Sequence, residues 1–199
     1  MRPDVADALK ASSRAFVEVV WPVVGPGIGG GELVPVETVT ASGFAKDLDT
    51  LAGVDMWQVV RPEGMRPIAS RMQLASSTPR LDTFTIRFHL RSGYPTEYHK
   101  RVASIRSGYL YPRLTIQAYV TSWQDGALLS AAAIETRALF KWAVGWVSRH
   151  GDEPDLWRWR EGAQVKDVTG GNQMLVILWD VLADVAPESI WQFHAELAA

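Results

Sequence analysis

Between Phe84 and Leu90 apolar and polar residues alternate: Phe84, Ile86, Phe88 and Leu90 interleave with Thr85, Arg87, His89 and Arg91. A period of two predicts a strand with one core face and one polar face. The segment from Leu114 to Thr121 repeats it, with Leu114, Ile116, Ala118 and Val120 facing in and Thr115, Gln117, Tyr119 and Thr121 facing the other way. Further strands are expected at 32–38, 54–60, 68–74, about 127–134 and Met174 to Trp179, with RPEG and SSTPR as turns.

Helical patterns separate these runs. Asp4 caps a first helix to about Trp21, with Val5, Leu9, Phe16 and Val20 near one stripe and Pro22 ending it. A short helix is expected over 44–52. Thr96 caps a helix from Glu97 to about Ser107 that buries Tyr98, Val102 and Ile105 and stops at Gly108. Two more are expected over about 136–148 and from Pro187 to about Leu197, while 151–171 reads as loop. The pattern predicts an α+β chain with a central mixed sheet flanked by helices. It forms one domain over 1–199, with a core of about 4–150 and a Trp-rich tail from about 151 packed on it. GPGIGGG formally matches a dinucleotide fingerprint at Gly25, Gly27 and Gly30, but that motif needs a strand before and a helix after. Here the order is reversed, and the segment reads as a turn.

Composition adds that 47% of the 199 residues are hydrophobic and nine are Trp, enough for a substantial core. No Cys is present, which excludes disulfides and thiolate metal sites, and the four His lack zinc spacing. The acidic N-terminus does not resemble an export signal, and no apolar run approaches a membrane span. A cytoplasmic protein is expected.

The net charge of −2 hides a strong asymmetry. Residues 1–60 carry four Lys/Arg against eight Asp/Glu, 61–113 carry ten against three, and 114–199 carry six against eleven. A basic block between acidic flanks fits a surface that meets a polyanion. Within the acidic first third, Glu32, Glu37, Asp47, Asp49 and Asp55 precede the block closely. Carboxylates that hold a hard divalent cation, beside cations that hold phosphate, are the ingredients of phosphodiester hydrolysis.

A helix, a strand ending near Glu37, a strand opening with Gly53-Val54-Asp55, a strand carrying Ser70-Arg71-Met72-Gln73, and later a helix followed by a strand resemble the core of the PD-(D/E)XK nuclease superfamily. The resemblance covers roughly residues 4–121 and implies a restriction-endonuclease-like core. It implies a metal-dependent nuclease, or a protein derived from one, acting on DNA. Asp55 stands for the family's metal-binding Asp. Where the family has its second acid and lysine, this chain has Arg71 and Gln73. The resemblance then implies Mg2+ held by Asp55 and Glu37, water and phosphate positioned by Gln73 and Lys100, and a backbone gripped by Arg71, Arg87 and Arg101. The polar faces of Arg71, Gln73, Arg87 and Gln117 would share one surface, either open or covered by a helix.

Two other readings use the same residues. One is a non-catalytic nucleic-acid-binding module on the same basic surface. The other is an assembly protein whose Trp-rich tail, with Trp157 and Trp159 between arginines, buries against a partner.

Overall fold

The computed structural model describes residues 11–36, 48–78, 80–168 and 170–194. The expectations for Asp4, Val5, Leu9, Glu37 and Asp47 lie outside them. Helical turns run over 11–27: a π-type stretch, Phe16–Val20, leads into the α-helical Trp21–Gly27, and the whole is α1. Pro22 therefore does not end the helix. It sits in the first turn of the α stretch, just after the wide π turns, where its missing N–H is tolerated. Phe16, Val20, Val24 and Ile28, spaced by four, form its buried stripe.

Strands β1 (Glu32–Pro35), β2 (Met56–Val60), β3 (Gly64–Leu74), β5 (Leu114–Val120), β6 (Leu128–Glu135) and β9 (Ile190–His194) form a six-stranded sheet in the order β1-β2-β3-β5-β6-β9. Only the β3–β5 pair within it is parallel. A parallel pair needs a crossover, which is supplied by β4 (Thr83–His89) and α2 (Glu97–Ser107). Strand β4 joins β8 (Asn172–Leu178) and β7 (Ala163–Val168) in a second sheet, order β4-β8-β7. Helices α3 (Thr136–His150) and α4 (Trp179–Val185) complete the chain. The mixed α and β class, with a central mixed sheet and flanking helices, is the observed one.

The large sheet is covered on both faces. On one, α1 packs on Met56, Ile68, Leu114, Ile116, Ala118 and the alternating Ala131 and Ala133. On the other, Tyr119, Ala132 and Ile134 meet the second sheet and the α3 residues Leu139, Phe140, Ala143 and Trp146. The three consecutive alanines of β6 follow from this double coverage: small side chains let layers approach a central strand from both sides. For the same reason the outer face expected for Gln117 and Tyr119 is interior, both side chains being buried.

Three expectations for the last fifty residues fail. Residues 163–168 form β7 rather than loop, Trp179 opens a helix rather than closing a strand, and the helix expected after Pro187 is a single 3-10 turn followed by β9. In β9, Trp191 and Phe193 face the α1 layer while Ile190 faces the other core, which matches strand alternation. Among the described residues no helix is long and apolar enough to cross a membrane.

The glycine-rich turn has a structural explanation. Gly29, Gly30 and Gly31 all take positive φ, and a side chain on Gly31 would stand 2.5 Å from the Val59 carbonyl oxygen. The fully buried Gln58 donates to the carbonyls of Ile28 (3.2 Å) and Gly30 (2.5 Å) and accepts from Arg66 Nε (2.8 Å). The turn is thus clamped to β2. Gln58→Ala should lower the unfolding free energy by about 1–3 kcal/mol, because it removes the side-chain donor to the Gly30 carbonyl and the acceptor of Arg66 Nε, leaving the Ile28 carbonyl to Arg66 alone. Urea denaturation with an unchanged midpoint would refute that role.

Candidate functional site

Asp55 lies just before β2, where its amide donates to the Ile68 carbonyl (3.0 Å) and its carbonyl accepts from Val36 (3.0 Å). Its carboxylate accepts the Ser70 amide through Oδ2 (2.6 Å), with the Ser70 hydroxyl at 3.5 Å. Gln73 is three residues further along β3, a rise of about 10 Å. Its amide donates instead to Thr85 Oγ1 on β4 (3.1 Å), and that hydroxyl donates to Gln117 Oε1 (3.1 Å). The structure thus ties Asp55 to Ser70, and Gln73 to Thr85.

Arg71 stands between them. Its Nη1 donates to the Thr85 carbonyl (2.6 Å) and lies 3.3 Å from the Thr85 hydroxyl, while Nη2 forms an ion pair with Glu97 Oε2 (2.5 Å). Both side chains of the pair are about one-fifth exposed. The same Glu97 oxygen accepts the Arg87 amide (3.2 Å). One guanidinium therefore links β3, β4 and the first turn of α2.

Arg101 takes a different partner from the one its spacing suggests. At i+4 from Glu97 it would make a surface ion pair, yet it is 5% exposed and its Nη1 and Nη2 donate to the carbonyls of Ala52 and Gly53. Burial lowers its pKa, while Glu97 and Asp55 oppose that shift. Gly53 has φ +58°, and a side chain there would collide with this guanidinium. Helix α2 starts as expected, with Thr96 and His99 forming a reciprocal cap, but its buried residue is Arg101; Tyr98, Val102 and Ile105 are half-buried. Lys100, one position earlier, is half-buried.

A magnesium centre does not fit the described donor set. Asp55 shares its carboxylate with Ser70, the position of the family's second acid holds Arg71, and Glu97 is paired to that arginine. Among the described residues no group of three His, Asp or Glu side chains could hold a metal. Glu37, the other expected ligand, lies outside the described residues.

Of the ten basic residues of 61–113, the nine arginines divide by task. Arg66, Arg71 and Arg101 are bonded internally and Arg80 pairs with Asp82. Arg61, Arg87, Arg91, Arg106 and Arg113 are exposed and, among the described residues, have no ion pair. Arg87 and Lys166 are both in register with Met174, which places them on one face of the second sheet. Arg91 follows in the turn, its amide donating to Asn172 (3.4 Å). Of the nearby carboxylates, Glu97 serves Arg71 and Asp167 accepts from Gln173 (3.1 Å). Lys166 was outside any motif; only its register with Arg87 brings it in.

Trp157 and Trp159 are 63% and 42% exposed, with the guanidinium of Arg158 over the first ring and that of Arg80 over the second. Arg158 and Arg160 are paired to Asp155, and Arg160 also to Glu153. This surface is therefore charge-balanced rather than basic.

No family model matches the chain, and no curated protein matches it. Among solved structures, the restriction endonuclease BglI bound to its DNA recognition sequence is similar, with a TM-score of 0.32 and 10% identity over 78% of this chain. The chain spans 59% of that endonuclease's length.

If the Arg71–Glu97 pair joins the layers, Arg71→Met should cost about 1–3 kcal/mol, since it leaves Glu97 and the Thr85 carbonyl short of a donor. A double-mutant cycle with Glu97→Gln should show a coupling of about 1 kcal/mol or more. Strict additivity in urea denaturation would show that the two side chains act separately.

Proposed function

We propose that the chain binds the phosphate backbone of DNA through the face carrying Arg87, Arg91 and Lys166, and does not cut it. The observation that carries this reading is the division of labour within the basic block. Arg71 and Arg101, both expected to grip phosphate, are engaged by Glu97 and by backbone carbonyls, whereas Arg87 is exposed and shares a sheet face with Lys166.

Strand spacing puts Arg87 and Lys166 about 10 Å apart at their backbones, with Met174 between them. Long flexible side chains at that separation can meet neighbouring phosphates. Absence of cutting is read from the donor set: the guanidinium of Arg71, in the place of the second acid, has no oxygen with which to ligand a divalent cation, and Glu97 is bonded to it.

Two measurements test this. Fluorescence polarisation with a short duplex should show binding that weakens steeply with salt, and Arg87→Ala should reduce the slope of log K against log salt by about 1. Salt-independent binding, or none, contradicts the reading. Incubation of plasmid with the protein and Mg2+ or Mn2+ should leave it intact; cleavage lost in Asp55→Ala would restore the nuclease instead.

A further inference from the structure

Helices α2 and α3 enclose a groove of about 260 Å3. Its floor is apolar: Val102 and Ile105 from α2, Phe140 and Val144 from α3. Its rim is cationic: Arg106 from α2, Arg137 and Lys141 from α3. The spacing explains the assembly. Val102, Ile105 and Arg106 stand at i, i+3 and i+4 on one helix, and Arg137, Lys141 and Val144 at i, i+4 and i+7 on the other, so each set forms a single stripe.

The rim cations are clustered and lack carboxylate partners. Arg106, Arg137 and Lys141 are exposed, and none has an ion pair among the described residues. Elsewhere on the surface, Arg14, Arg80, Arg149, Arg158 and Arg160 are paired with carboxylates, while Arg61, Arg87, Arg91 and Arg113 are, among the described residues, unpaired but do not line this groove. Helix α3 contains no acidic residue, and α2 contains only Glu97, at the opposite end from Arg106 and bonded to Arg71. The groove therefore presents three like charges around an apolar floor.

We infer that this groove docks an acidic amphipathic segment of a partner protein, its aliphatic side chains on the floor and its carboxylates against Arg106, Arg137 and Lys141. The floor needs side chains to fill it, which a sugar–phosphate backbone does not offer, and its four apolar residues call for more apolar surface than a small anion carries. Apolar anchors flanked by charge are how a helix seats in a groove. The unpaired cations supply the selectivity, because a basic segment would be repelled.

The probe is a fluorescein-labelled helical peptide with leucines at i, i+4 and i+7 and glutamates between them, titrated with the full chain. Saturable binding is expected, with shifts in the methyl resonances of Val102, Ile105 and Val144. Joint replacement Arg137→Glu and Lys141→Glu should weaken it by about tenfold or more, and so should Arg106→Glu alone, which decides the matter if the double variant does not fold. The same peptide with lysines for glutamates should not bind. The inference is overturned if the glutamate peptide does not bind, if the lysine peptide binds as well, or if charge reversal in a folded variant leaves the affinity unchanged. It is also overturned if duplex DNA displaces the peptide while shifting the same methyls, which would make the groove a nucleic-acid surface.

Discussion

The guanidinium of Arg71 is the joint on which the arrangement turns. Strand β3 belongs to the large sheet, β4 to the small one, and α2 lies between β4 and β5 in the chain; Arg71 bonds to the second through Thr85 and to the third through Glu97. Its neighbours Gln73 and Gln117 reach the same threonine hydroxyl, so the interface between the layers is polar where an oily contact would be the simpler solution. Such a network is stable only if its members are satisfied, and most are. The Gln117 amide nitrogen is buried without a partner among the described residues, and is the weak point of the set.

This joint accounts for the chemistry of the candidate site. An arginine in the middle of β3 is compatible with a neighbouring carboxylate that neutralises it, and Glu97 fills that role. It is poorly compatible with a cation-binding centre in the same place. Asp55, bonded to the Ser70 amide and facing the charge of Arg101, has a structural task of its own in holding the entry to β2 against β3. In the proposed reading, the polyanion-facing role falls to the arginines that no carboxylate pairs with.

Much of this was legible in the residues. The alternation over Phe84 to Leu90, the capped helix from Glu97 and the turn at RPEG all appear with nearly the expected bounds, because local chemistry decides them. Alternation alone could not say whether the polar face of β3 and β5 meets water or another polar layer, and it is the second. Nor could it choose between partners for Glu97: the i+4 arginine was the local option, and Arg71, 26 residues away, is the one it takes. The late strands β7 and β9 are short, and pairing with β8 and β6 rather than intrinsic preference defines them. The groove between α2 and α3 was invisible for a related reason, since its two stripes become one site only when the helices pack side by side.

A structural cation, the Arg71 guanidinium, occupies the heart of the candidate site. Calorimetric titration of Mn2+ into the full chain tests it directly. The prediction is a titration without saturable heat, for the wild type and for Asp55→Asn alike. A saturable isotherm in the wild type that disappears in a folded Asp55→Asn variant would contradict it.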